Sequence, residues 1–260
     1  MQTNVRHEDG ARVRHITIAR ESKANALMPA DCDAIRALVE DVPAAIEAIA
    51  FRGAGARSFS AGMDVGAFLD LDAGTARAFI EPLKDMLNTV RTCPLPTLAV
   101  INGACIGAGI ELASACDLRI AADHSRYGLP EIKVGIPTAL DAALLQQYIG
   151  LGRTKQMILT GEFYNAQEML AWGFLSEVVP LEKLDEAADR MLASLVGNTR
   201  TVVTAQKRMF ETWQNYGIKT ANEVSVDVWA AVFTQPETQK SIARYKAELS
   251  SRKKTDGRKG

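Results

Sequence analysis

The stretch that most restricts how this chain folds is residues 101–117, INGACIGAGIELASACD. It follows an apolar run, residues 95–101 (LPTLAVI), with the length and composition of a buried strand. Gly107, Ala108 and Gly109 then leave the backbone bare, and the sequence behind them reads as a helix carrying Glu111 one turn in. The first turn of a helix has N–H groups without intrahelical acceptors, and its dipole favours an anion. Strand, small-residue turn and helix N-terminus in succession make a place where negative charge is stabilised, with a carboxylate near enough to move a proton.

The 260 residues, 47% of them hydrophobic, suffice for one large core or for one core with a small appendage. A formal net charge of -1 gives no field that would draw the chain to nucleic acid or to a membrane surface. No window approaches the run of about 18 apolar residues that a membrane span requires. Cys32, Cys93, Cys105 and Cys116 show no CxxC pairing and read as packed, reduced residues. Residues 1–10 are polar, without the apolar segment of a secretory leader, so the expected location is cytoplasmic.

Along the chain, residues 13–19 (VRHITIA) alternate and are β-branched, predicting a strand. A polar loop (21–28, ESKANALM) leads to a helix starting near Pro29, and residues 46–52 (IEAIAFR) read as a second strand. Helical spacing over residues 73–90 is interrupted by Pro82, which predicts a kink or a split. Residues 118–121 and 178–179 read as short strands, 127–138 as irregular, and 139–149, 154–159 and 166–172 as helices. From Leu181 the pattern is helical, with loops near Gly197 and Gly217 and a charged tail over residues 252–260. Strands before about residue 180 and helices after it predict an α/β core with a helical C-terminal part, divided as residues 1–195 and 196–260.

Two segments carry candidate chemistry. Residues 58–64 (SFSAGMD) and 103–111 (GACIGAGIE) each place bare backbone after a strand. An oxyanion hole needs two N–H donors converging on one oxygen, and two such turns can supply them; tight backbone packing is the plain alternative. Glu111 and Glu131 each lie among apolar residues, where a carboxyl's pKa rises toward neutrality and it serves as acid or base. The alternatives are a helix-end charge for Glu111 and an exposed loop residue for Glu131. Other chemistries fit less well. GxGxxG fails because Leu112 and Ser58 occupy the third positions, and there is no phosphate loop and no GxSxG elbow. His7, His15 and His124 lack metal-ligand spacing, so no metal is expected. Arg77, Lys84 and Arg91 recur every seven residues, but Glu81 and Asp85 interleave with them, which reads as a solvated helix face and not as an RNA-binding stripe.

These segments, in this order, resemble the crotonase superfamily, the enoyl-CoA hydratase/isomerase family. The motifs are SKANAL (22–27), FSAGMDV (59–65), INGACIGAGIELASACDLRIAA (101–122), YGLPEIKVGIP (127–137) and GLGRTKQMILTGEFYNAQEMLAWGFLSEVVP (150–180). The resemblance covers about residues 10–250. It implies a spiral of ββα units with a C-terminal helical trimerisation region, a homotrimer or a dimer of trimers, and a place in fatty acid metabolism. It implies that the N–H groups of Met63 and Ala108 hold a thioester oxygen. It also implies that Glu111 and Glu131, 20 residues apart, are the acid/base pair of a hydratase. Ala61, Gly62, Asp64 and Val65, with Ala24 nearby, would line the CoA path. No cofactor is implied, because CoA is part of the acyl-CoA or enoyl-CoA substrate. One departure stands out: after GIP, where many members have a Gly-rich run, this chain has residues 138–143 (TALDAA), so Asp141 becomes a possible pocket residue.

Three functions compete at this point. The first is syn addition of water to a 2-enoyl-CoA through an enolate. The second is double-bond isomerisation or another crotonase-type acyl-CoA reaction. The third, of another class, is a non-catalytic CoA-thioester or RNA-binding protein on the same scaffold.

Overall fold

The computed structural model describes residues 3–256, with side chains to residue 249. The chain divides into two compact units between Val196 and Gly197.

The first unit opens with β1 (Val5–Asp9) and β2 (Val13–Ile18), paired antiparallel, then α1 (Pro29–Glu40). Arg14 on β2 is buried: its guanidinium pairs with Asp9 at 2.7 Å and donates to the carbonyls of Leu38 and Asp41, closing the C-terminal end of α1. Next come β3 (Ala48–Gly53), β4 (Ser58–Ser60) and α2 (Ala73–Thr92), followed by β5 (Thr97–Ile101), β6 (Ala104–Ile106) and α3 (Ala108–Ala115). β7 (Leu118–Ala122) and β8 (Arg126–Gly128) precede 3-10 turns over Pro130–Val134 and Leu140–Leu144, then α4 (Leu145–Ile149) and α5 (Leu151–Thr160). β9 (Phe163–Asn165), α6 (Ala166–Ala171), β10 (Glu177–Val179) and α7 (Leu184–Leu195) complete the unit.

From β3 to β8, successive strands alternate between two sheets. A six-stranded sheet has the order β1-β2-β3-β5-β7-β10, and a four-stranded sheet has β4-β6-β8-β9. Each of β3–β4, β5–β6 and β7–β8 is therefore one step of a repeating ββα spiral. From β2 to β10 the larger sheet is parallel, and β3 and β5 are apolar on both faces, as a parallel strand covered on both sides must be. Ile49, Phe51, Ala99 and Ile101 enter the main core; Ala48, Ala50, Leu98 and Val100 pack with Leu184, Ala187 and Leu192 of α7.

Helix α2 runs through Pro82 as one element and is not split. Leu83, Met86, Leu87 and Val90 stay on its buried face. Their burial stabilises by about 1.5–3 kcal/mol each, which outweighs the ~3 kcal/mol cost of an interior proline. The helix expected over residues 139–149 is a 3-10 turn followed by α4, and the segment expected to be irregular contains β8 and a 3-10 turn.

The second unit holds α8 (Arg200–Asn215), α9 (Ile218–Ala231) and α10 (Pro236–Asp256). Trp213 Nε1 donates to Ser225 Oγ across α8 and α9, and Trp229 packs against Phe233 with the rings tilted at 58°. Of the charged tail, residues 257–260 lie outside the described residues. Among the described residues no helix is long and apolar enough to cross a membrane.

Candidate active site

The two bare-backbone turns lie against each other. Asn102, fully buried, donates to the carbonyls of Gly53, Gly55 and Ser58 and accepts from the Gly53 N–H. Asn25 donates to Ala54 and Ser58. These two amides fix the start of each turn. At the far end a Cβ on Gly62 would stand 3.0 Å from the Ala108 nitrogen, so only glycine admits this approach; its φ of +87° is itself a left-handed value. Gly109 serves α3 in the same way, since a Cβ there would meet the Ser60 carbonyl oxygen at 2.5 Å. Gly109→Ala is therefore expected to push α3 off β4, lowering stability by about 1–3 kcal/mol and lowering turnover as the donors separate. Denaturant unfolding together with kcat checks this; unchanged turnover in a folded variant would show that the spacing of the turns is immaterial.

Among the described residues, neither the Met63 nor the Ala108 N–H has an acceptor. Leu27 and Met63 form a parallel bridge in which Leu27 donates to Gly62 O at 2.8 Å and accepts from Asp64 N–H at 3.0 Å. Neighbouring residues of an extended chain point their polar groups to opposite sides, so the Met63 N–H faces away from Leu27. Ala108 is the first residue of α3, where the N–H has no intrahelical acceptor. Both residues line a cavity of about 200 Å³. Its other walls are mostly apolar, with Phe68, Ile80, Leu83 and Leu140 among them.

Glu111 and Glu131 line the same cavity. Glu111 is 5% exposed. Burial, with the nearby charges of Glu131 and Asp141, pushes its carboxyl up to about 8, against the pull of a hydrogen bond from the Ala142 amide. Glu131 sits in the 3-10 turn after Leu129, half-buried. Thr138 donates to its Oε2 at 2.9 Å, and its Oε1 lies beside Gly107, 2.8 Å from where a Cβ would be.

The structure thus brings Ala61, Gly62, Met63, Val65, Ala108, Glu111 and Glu131 to one cavity. Three expected residues do not line it. Ala24 is exposed and left-handed at φ +50°; its carbonyl accepts from Ala61 N–H and Ser58 Oγ. Asp64 caps the 3-10 turn Val65–Phe68 through Gly66 N–H and pairs with Arg20 at 2.9 Å, the work of an N-cap carboxylate. Asp141, expected as a possible pocket wall, turns instead to Arg91 at 3.6 Å. Sequence reasoning missed Asn25, Asn102 and Thr138, whose roles are contacts between distant segments. The Asn102–Gly103 pair directly after a strand was the available signal. Among the described residues no group of three or more His, Cys, Asp or Glu is arranged to hold a metal ion.

Similarity to known proteins extends over most of the chain. The family model described as enoyl-CoA hydratase/isomerase matches residues 8–253. The chain is 26% identical over 245 residues to a short-chain-enoyl-CoA hydratase of Clostridium acetobutylicum, covering 93% of this chain and 94% of that one. It is 38% identical over 142 residues to an enoyl-CoA isomerase/hydratase of Mycosarcoma maydis, covering 52% of each. The crystal structure of an enoyl-CoA hydratase from Bacillus anthracis superposes with a TM-score of 0.90 at 26% identity, covering 95% of this chain and 97% of that one.

Proposed function

The chain belongs to the enoyl-CoA hydratase/isomerase family of the crotonase superfamily, and from that premise we propose that it hydrates a 2-enoyl-CoA by syn addition of water. The observation that carries the proposal is the meeting of two carboxylates and two unspent N–H groups in one cavity. The Met63 and Ala108 N–H groups hold the thioester oxygen, and their interaction strengthens as that oxygen gains charge. Glu111 and Glu131 share one proton and grip the water between them. As the water oxygen bonds to C3, one carboxylate takes a water proton and the other delivers its own to C2. The C2–C3 double bond becomes single and the enolate collapses to the thioester. No cofactor enters, since CoA comes with the substrate.

Crotonyl-CoA and longer enoyl-CoAs, followed by loss of the conjugated thioester absorbance and by mass detection, test this. An active parent with an equally active Glu131→Gln variant would remove the two-glutamate mechanism. Binding of acyl-CoA or RNA without turnover across the panel would favour the non-catalytic reading.

The 3-10 turn at 140–144 supports a second reading, double-bond isomerisation. Leu140 stands bulky in the cavity wall, where less room is left for water, and one carboxylate suffices to carry a proton between C2 and C4. Conversion of a 3-enoyl-CoA to its 2-enoyl isomer without hydration would establish it. Self-association into a trimer or a dimer of trimers is also proposed. It is supported by Trp213, Ile218 and Trp229 on the helices of the second unit and Tyr216 in the turn between α8 and α9, all large apolar side chains that are exposed.

A further inference from the structure

The turn that follows Glu131 carries more order than its sequence explains. Leu140 adopts φ +52°, a left-handed conformation that a side chain with a Cβ resists. Such a residue persists only where its surroundings hold it. The next residue, Asp141, is tied across to α2 by Arg91, Nε to Oδ2 at 3.6 Å, with both side chains largely buried. Helix α2 packs against both this turn and α3. The residue after that, Ala142, is buried where this turn packs against α3; its amide reaches the Ala139 carbonyl at 3.3 Å and pulls the Glu111 carboxyl down.

We infer that the Arg91–Asp141 ion pair is a clamp. It holds the strained turn at Leu140 in place and thereby aims the Ala142 amide at Glu111, which makes Arg91 and Asp141 positioning residues for the proposed reaction. The inference rests on the reading of Glu111 as an acid/base group. Its elements are a donor on the turn, a carboxylate on α3, and a charge pair that joins the turn to the helix behind both.

The charges around Glu111 make the clamp readable by titration. Glu131 and Asp141 face it from the two 3-10 turns. From α2 comes Arg91, behind Asp141; the Lys84–Asp85 pair of that helix is exposed, as is Arg77, the partner of Glu81. Strand β6 contributes the buried thiol of Cys105, and β4 only uncharged Ser58, Phe59 and Ser60. Arg91→Met leaves the Asp141 charge without this counter-cation and releases the turn, and both effects raise the midpoint. Asp141→Asn removes one negative charge, which lowers the midpoint, and releases the turn, which raises it by the lost Ala142 amide. Charges alone make the displacement in the double variant the sum of the two single ones; a shared clamp, lost once, brings it below that sum.

The experiment uses the full chain with carboxyl-13C-labelled glutamate and crotonyl-CoA. Glu111 is assigned by its absence in Glu111→Gln and titrated by NMR in the parent, Asp141→Asn, Arg91→Met and the double variant. The expected result is a midpoint raised by about one pH unit in Arg91→Met, and a signed displacement in the double variant about half a unit below the sum of the two single ones. In each single variant kcat falls about tenfold or more, in the double variant by about as much as in either single, and KM stays within about twofold. Midpoints that stay put, or displacements that simply add in the double variant, overturn the clamp. An inactive parent, or Glu111→Gln as active as the parent, overturns the hydratase reading instead, and the titration still decides the clamp.

Discussion

Replacing Glu111 by glutamine is expected to lower kcat by 10²–10⁴-fold, the usual worth of a positioned acid or base, while making the protein more stable. The two effects have one cause. Burial beside Glu131 and Asp141 raises the Glu111 carboxyl from 4.5 to about 8 in the folded chain. Below the unfolded value Glu111 is protonated in both states and is neutral in the balance. As pH rises past 4.5 the unfolded chain ionises and the folded one does not, so ionisation favours unfolding. The penalty grows until the folded group ionises near 8 and is constant above that. At about 1.4 kcal/mol per pH unit, this bounds the penalty at ~5 kcal/mol. Glutamine keeps the shape and never ionises. Denaturant unfolding at pH 5, 6.5 and 8 should show the advantage of Glu111→Gln over the parent growing with pH. An advantage that is flat across this range would mean that Glu111 is not held protonated. The same ionisation takes the proton that Glu111 would deliver, so the parent's kcat should decline above about pH 8. A group that destabilises the fold at working pH and is nevertheless present is most simply explained by the chemistry it performs.

The parts of this arrangement legible in the sequence were those written locally. An apolar strand, bare glycines and an acidic residue one turn into a helix occupy one run around Glu111, and local physics alone names that run as half of a site. The parallel strands β3 and β5 were legible for the same reason, as apolar runs too short for helices. Strand β1 was not, because an edge strand draws on its backbone ladder with β2 and leaves most side chains exposed. The three-residue strands β4, β6, β8 and β9 were also invisible: their partners are far along the chain, and three residues show no period. The split allowed for at Pro82 did not occur, because propensity registers the missing hydrogen bond of one residue, whereas the helix is decided by the face it buries. Asp141 was only partly readable, for another reason. Its position beside a pocket was readable, but its direction was set by Arg91, 50 residues earlier, which no local pattern announces.

Ala108→Pro separates the backbone donor from the fold that carries it. Proline is at home in the first position of a helix, because the N–H it lacks has no intrahelical acceptor and its φ suits the turn. Ala108 holds that position in α3. The residue before a proline is kept out of the right-handed helical region, and Gly107, at φ 54° and ψ −126°, is already outside it. Helix α3 should therefore form, with unfolding free energy within about 1 kcal/mol of the parent. What is lost is one of the two donors on the thioester oxygen, and the ring takes the place where that oxygen would sit. Removing one oxyanion donor costs 10²–10³ in kcat, about 3–4 kcal/mol, because the interaction is made most strongly when the oxygen bears charge. Ala108→Gly keeps the N–H and should hold kcat within a few-fold of the parent, which shows that the side chain is not what matters. If Ala108→Pro folds and turns over within tenfold of the parent, the oxygen is held elsewhere. The meeting of the Gly62 and Gly107 turns would then be a packing solution, and not the reason that two glycines are kept in left-handed conformations at the head of one helix.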